Sequence, residues 1–312
     1  MADEAQTAQD RASRRTGRTW LIAGIIAGIV LLAVAGLYSY RTWTERSDAT
    51  RRIVEATTLI EQADEIVVRV DEVVGAEISS QTAVAATQVA TEVPGASALL
   101  REAVETIDAS ASDVDEIGRE RALVLKQAAL ARLDMMSQAP AILDATRGAS
   151  EALPRATAAW EKALEADRLG QRAVAAYNKL TSAGVRDSRR LNKLAATELA
   201  SAREGMGRAE SAFPAAAFES YLAYLDLRIE MNKLSQQSDS LWLKDEFAKA
   251  NDVISDYNEK DKKAVALAKT LPASPAKAVA DAYEAAAKAA TDEYYAARER
   301  ATAADGKIRR LF

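Results

Sequence analysis

Between residues 53 and 74 the apolar side chains recur at alternating intervals of three and four: Ile53, Ala56, Ile60, Ala63, Val67, Val70 and Val74. That spacing lines them along one stripe of an α-helix, whereas a strand would alternate at every second residue. The pattern is an a/d heptad seam over three heptads. The neighbouring g column, Leu59, Ile66 and Val73, is apolar too, where a free two-stranded coil would carry charge. Three apolar columns suit the core of a bundle. The reading is therefore packing within the chain ahead of a coiled-coil dimer.

The rest of the chain extends the helical pattern. Alanine, the best helix former, supplies roughly a fifth of all residues, while Gly and Pro number only 13 and 6. No alternating β-branched run bounded by turns appears. Breaks are expected at Pro94-Gly95, Pro140, around Gly148, at Gly184, Pro214 and Pro272, because Pro and Gly punctuate helices most strongly. Between them run helical faces: Leu100 to Val114, about 151 to 181, about 188 to 213, a most apolar run from Ala215, and one holding Leu241 to Tyr257. Ser274-Pro275 opens the last, with a capping residue before Pro at the first position. Asn-Lys-Leu recurs at Asn178, Asn192 and Asn232, with no repeat in its flanks.

From Trp20 to Tyr40 no residue is charged. About twenty residues at 1.5 Å each cross the ~30 Å hydrocarbon core of a bilayer. Trp20 stands at one edge and Tyr38, Tyr40 and Trp43 at the other, where amphipathic rings suit the headgroups. The rival reading is a cleaved signal peptide, with Ala33-Val34-Ala35 as the small-x-small site, but the apolar run continues past it. Arginines flank both sides: Arg11, Arg14, Arg15 and Arg18 before, Arg41, Arg46, Arg51 and Arg52 after. The cluster next to Trp20, and the ease with which long C-terminal domains translocate, favour an inside tail and an outside domain. Gly24 and Gly28 form a G-x-x-x-G pair that lets membrane helices approach closely and would support a weak homodimer; Gly and Ala are also simply common in such helices.

The expected fold class is thus all-α: one N-terminal transmembrane helix, then an elongated bundle of about six to seven helices. Residues 1–19 form a short basic tail, 20–40 the membrane helix and 41–312 the helical-bundle domain.

Chemistry is bounded by what is missing. The chain has no Cys and no His, which removes thiol nucleophiles, thiolate metal sites, the commonest general base and the commonest transition-metal ligand. No catalytic residue, metal ligand or cofactor is expected, and no nucleic-acid partner, since the net charge of -5 is mild and mixed. Ser274-Pro275-Ala276-Lys277 matches S-x-x-K but lacks the companion motifs of penicillin-binding enzymes, so a helix cap explains Ser274 better. Asp256, Asn258 and Lys260-Asp261 lack the Gly and Glu of a calcium loop. Asp113, Asp115 and Glu116 do not share one helix face. Gly205-Met206-Gly207, the one G-x-G, sits in a helical run. Phe218, Tyr221, Tyr224 and Trp242 could line a partner surface or ligand groove; at helical spacing they also suit plain core. Lys307, Arg309 and Arg310 suit the negative end of a helix dipole.

No motif identifies a family. One span followed by a helical bundle resembles bacterial chemoreceptor sensor domains in outline only; the second span and output segment of such receptors are not legible here. The expectation is a non-catalytic, single-pass helical scaffold or partner-binding protein of the cell membrane. Its partners would be the lipid bilayer and other membrane or cell-surface proteins. The alternative is a ligand-binding sensor bundle that signals through a membrane partner. A buried polar pocket between helices would favour the sensor, and a large exposed apolar patch the scaffold.

Overall fold

The computed structural model describes residues 46–311. The expected membrane helix at 20–40, with Gly24 and Gly28, lies outside them. Among the described residues no helix is long and apolar enough to cross a membrane.

Every regular element among the described residues is helical. Helix α1 occupies 46–74. It is followed by α2 (Ser80–Ala90), α3 (Val93–Ser110), α4 (Glu116–Tyr177), α5 (Ser182–Ala212), α6 (Glu219–Trp242), α7 (Phe247–Ala268) and α8 (Pro275–Leu311), with a short 3-10 turn at Pro214–Ala216. The a/d residues from Ile53 to Val70 are buried and Leu59 and Ile66 are half-buried, so the wide stripe of α1 is consumed inside this one chain.

α4 organises the molecule. Its 62 residues span about 90 Å at 1.5 Å per residue. Two cores share it, end to end. The first joins α1, α2, α3, the N-terminal half of α4 and the C-terminal part of α8. The second joins the C-terminal half of α4 to α5, α6, α7 and the start of α8. Each lobe packs several helices around its share of α4. The register follows from paired side chains: Asp108 with Lys126, Arg132 with Asp305 and Asp134 with Arg300 in the first lobe. In the second it follows from Arg203 with Asp226 and Glu230 with Lys260.

Sequence punctuation misplaces two breaks. Pro140 and Gly148, both expected as breaks, lie inside α4 without ending it, as does Pro154. Each Pro removes one backbone hydrogen bond, but α2, α3, α5 and α8 pack against α4 and it continues through both positions. Gly148 answers a packing need: a Cβ there would meet Phe213 Cδ2 at 2.7 Å and the Ala212 carbonyl oxygen at 3.1 Å. Two breaks fall where no Pro signals them. α3 stops at Ser110, leaving Val114 in the turn before Asp115, whose carboxylate accepts from Gly118 N and caps α4. The run from Leu241 to Tyr257 divides between α6 and α7, with Asp245 at φ 62° in the corner.

The second lobe has one tight seam and one loose one. Along α4, Ala149, Ala152, Ala156, Ala159, Ala163 and Ala166 face α5 at heptad spacing, and small side chains let the backbones approach closely. Gly205 of α5 sits there: its Cβ would lie 3.0 Å from that of Ala159. On the opposite side, α7 packs closely on α6 but not on α4. The α4–α7 seam carries tyrosines instead of alanines, and it stays partly open.

Candidate functional site

The open seam holds a cavity of about 200 Å³ near the end of the second lobe farthest from α1 and the C-terminus of α8. Four helices contribute. Val174 and Tyr177 come from the last turn of α4, Ser188 and Asn192 from α5, Ser235 and Asp239 from α6, and Ile254 and Tyr257 from α7. Asn178 and Asn258, both exposed, stand at the rim.

The floor is polar and buried. Asp239 is only 1% exposed. Asn192 Nδ2 donates to its Oδ2 at 2.8 Å and Ser188 Oγ donates to the same oxygen at 3.2 Å. Both bonds fall on Oδ2. Among the described residues no cation forms an ion pair with Asp239, and no hydrogen bond reaches Oδ1. Burial pushes the Asp239 carboxyl above its ordinary range; the bonds from Asn192 and Ser188, and the field of exposed Arg189, oppose that shift without cancelling it.

Around the floor the polar contacts continue. Gln236 Nε2 donates to Asn232 Oδ1 at 2.7 Å and approaches the Asn192 carbonyl at 3.5 Å. Ser238, fully buried, donates to the Ala250 carbonyl of α7 at 3.3 Å and shares a 3.3 Å contact with the Tyr177 hydroxyl. Beside this layer Arg228 pairs with Asp167, and Tyr224 donates to the same carboxylate at 3.2 Å. Burial raises the phenol of Tyr257, with Arg228 opposing.

The aromatic set singled out from sequence does not form this site. Phe218, Tyr221 and Tyr224 are buried in the second core, so they present no partner surface. Tyr221 stacks edge-on against Trp160 with ring centroids 5.2 Å apart, and its hydroxyl donates to the Pro272 carbonyl at 2.9 Å. Trp242 lies at the far end of α6, edge-on to Phe247 at 5.3 Å. Phe218 caps the start of α6 and Trp242 is its last residue, so the length of the helix separates Trp242 from the other three.

The residues that do meet were visible only as a repeat. The Asn of each Asn-Lys-Leu belongs to this region: Asn178 at the rim, Asn192 on the floor, and Asn232 one bond away through Gln236. Identical flanks would have marked a structural repeat. Here Asn178 and Asn192 line one seam, and Asn232 joins them through Gln236.

The other sequence candidates resolve locally. Ser274 Oγ accepts from Lys277 N at 3.1 Å, while Lys277 Nζ turns away to Asp281 at 2.7 Å, so Ser274 caps α8 and has no lysine beside its hydroxyl. Asp256, Asn258 and Asp261 lie on continuous helix α7, not in a loop. Asp115 is spent as the cap of α4. Arg309 and Arg310 occupy the last turn of α8. Among the described residues no group of three or more acidic side chains could hold a metal ion. No family model, curated protein or solved structure matches the chain.

Proposed function

We propose that this chain is a membrane-tethered, non-catalytic helical bundle that binds a small ligand in the α4–α7 seam and passes the binding event on through its long helices. The observation that carries the reading is the buried, cation-free carboxylate of Asp239 beneath a cavity with an exposed rim. A protein core does not keep such a group for stability, because an unpaired buried charge is costly.

The surrounding helices suit transmission. α7 forms one wall and is sparsely anchored, with only Ala250, Val253 and Ala264 buried along its length. A helix held by few apolar contacts is one that a ligand can shift. After the turn at Pro272, α8 runs back through the first lobe. There Asp305 meets Arg132 beside Asp64 of α1, the helix that would continue from the tether at 20–40. A ligand drawing α7 towards α4 would therefore bias the start of α8. The absence of His and Cys supports a binding role over a catalytic one.

A second reading, the partner-binding scaffold, has one observation in its favour. An open trough of about 390 Å³ runs between α2 and α4, lined by Ala83, Val84 and Pro154, with Val84 59% exposed.

The test is a fragment screen by ligand-observed NMR on the purified full chain, repeated with Ser235→Leu, which fills the cavity, and with Val84→Asp, which charges the trough. Hits lost only in Ser235→Leu are expected. Absence of any hit sensitive to Ser235→Leu would overturn the ligand-binding reading.

A further inference from the structure

The chemistry of the seam names the class of ligand; this step rests on the ligand-binding reading above. Oδ2 of Asp239 is fully engaged by Asn192 and Ser188, which also fix the plane of the carboxylate. Oδ1 has no donor among the described residues, although the rest of the layer is hydrogen-bonded. A buried carboxylate left without a cation gains most from one supplied from outside, because attraction between opposite charges strengthens as the local dielectric falls.

The walls restrict what that cation is. Tyr177 and Tyr257 bring two phenol rings to the cavity, and Val174 and Ile254 bring aliphatic surface. Aromatic faces attract cations, and quaternary ammonium groups are commonly held in aromatic-lined pockets. Apolar walls do not replace the hydration shell of a metal ion, and Asp239 is the one acidic residue lining the cavity. The polar rim, Asn178 and Asn258, suits a hydroxyl or amide at the other end of the ligand. The volume excludes a drug-sized molecule, whose pockets run from about 300 Å³ upward.

We infer that the cavity binds a compact organic cation, a small primary or quaternary ammonium, with its positive centre against Oδ1 of Asp239. Exposed Arg189 is the opposing charge on α5, and Arg228 of α6 is already held by Asp167. Neither forms an ion pair with Asp239, so the carboxylate remains available.

Isothermal titration of the full chain in nonionic detergent tests this with tetramethylammonium chloride and ethanolammonium chloride. Sodium chloride at equal ionic strength and neutral tert-butanol serve as comparisons. The expected result is saturable binding of an ammonium probe, weakened by about tenfold or more in Asp239→Asn and abolished in Ser235→Leu, with circular dichroism unchanged. Should Asp239→Asn not fold, loss of binding in folded Ser235→Leu carries the same weight. Equal binding in Asp239→Asn, or an equal response to sodium, overturns the inference. Saturable tert-butanol binding that Ser235→Leu removes and Asp239→Asn spares overturns the cation class while leaving the ligand pocket standing. If no probe binds, both fall.

Discussion

The two lobes share α4 and one helical architecture, yet among the described residues only the second holds a deeply buried carboxylate without a cation beside it, although it too pairs Arg228 with Asp167. In the first lobe each buried or half-buried ionic group is matched. Arg132, 8% exposed, lies between Asp64 of α1 and Asp305 of α8. Burial alone would depress its guanidinium, but hydrogen bonds to the two aspartates outweigh that and raise it. Asp71 likewise accepts from the buried Tyr294 hydroxyl at 2.8 Å and pairs with Arg298. In the second lobe Asp239 is buried deeper than any of these carboxylates and no arginine reaches it. The difference separates a lobe built to stay closed from one with an unmet interaction.

The comparison breaks first at Arg132. Arg132→Ala leaves two half-buried carboxylates facing each other, and urea denaturation is expected to show a loss of about 3 kcal/mol. A loss below about 1 kcal/mol would mean the triad is no more than a screened surface pair.

Pro154 tests whether α4 is under strain between the lobes. It is exposed inside the helix, so Pro154→Ala restores a backbone hydrogen bond without removing core contacts. Stabilisation of roughly 1–3 kcal/mol is expected by thermal unfolding.

Asp239 supplies the opposite sign to Arg132. Without added ligand, Asp239→Asn should raise Tm at neutral pH by roughly 2–4 °C, the shift about 1 kcal/mol gives in a chain this large. The pH profile sharpens the test. Burial raises this carboxyl above its ordinary 3.8, so between that value and its folded-state pKa the folded chain holds the proton that the unfolded chain has released. Its stabilising contribution is therefore complete below 3.8 and is lost as pH rises through the raised pKa. Arg189 from α5 opposes the shift, and Tyr257 of α7, its phenol raised by burial, stays neutral across that window. The wild-type minus Asp239→Asn difference in urea midpoint should follow this fall. A flat difference would show that the carboxyl is not buried in solution.

The smallest effect belongs to Ser274. As the cap of α8, Ser274→Ala should cost about 1 kcal/mol, with no change in ligand binding. A fluorophosphonate label that disappears in Ser274→Ala would instead restore the nucleophile reading.

By itself the sequence determined the helical class, the buried stripe of α1 and the cap at Ser274. These depend on periodicity and on bonds within one turn, which a linear chain displays directly. It also determined the inventory: without His or Cys, whole classes of chemistry are unavailable wherever the helices go. Tertiary structure decided the rest. Pro140 and Gly148 read as helix breaks because their local cost is certain, whereas the flanking helices that overcome it come from residues far away in sequence. Phe218, Tyr221 and Tyr224 read as surface or core alike until packing closed over them. Asp239 carried no signal at all, since one aspartate among 46 acidic residues is distinguished only by which cations fail to reach it. That failure is a property of four helices meeting in space, with an alanine seam on one side of α4 and a tyrosine seam on the other.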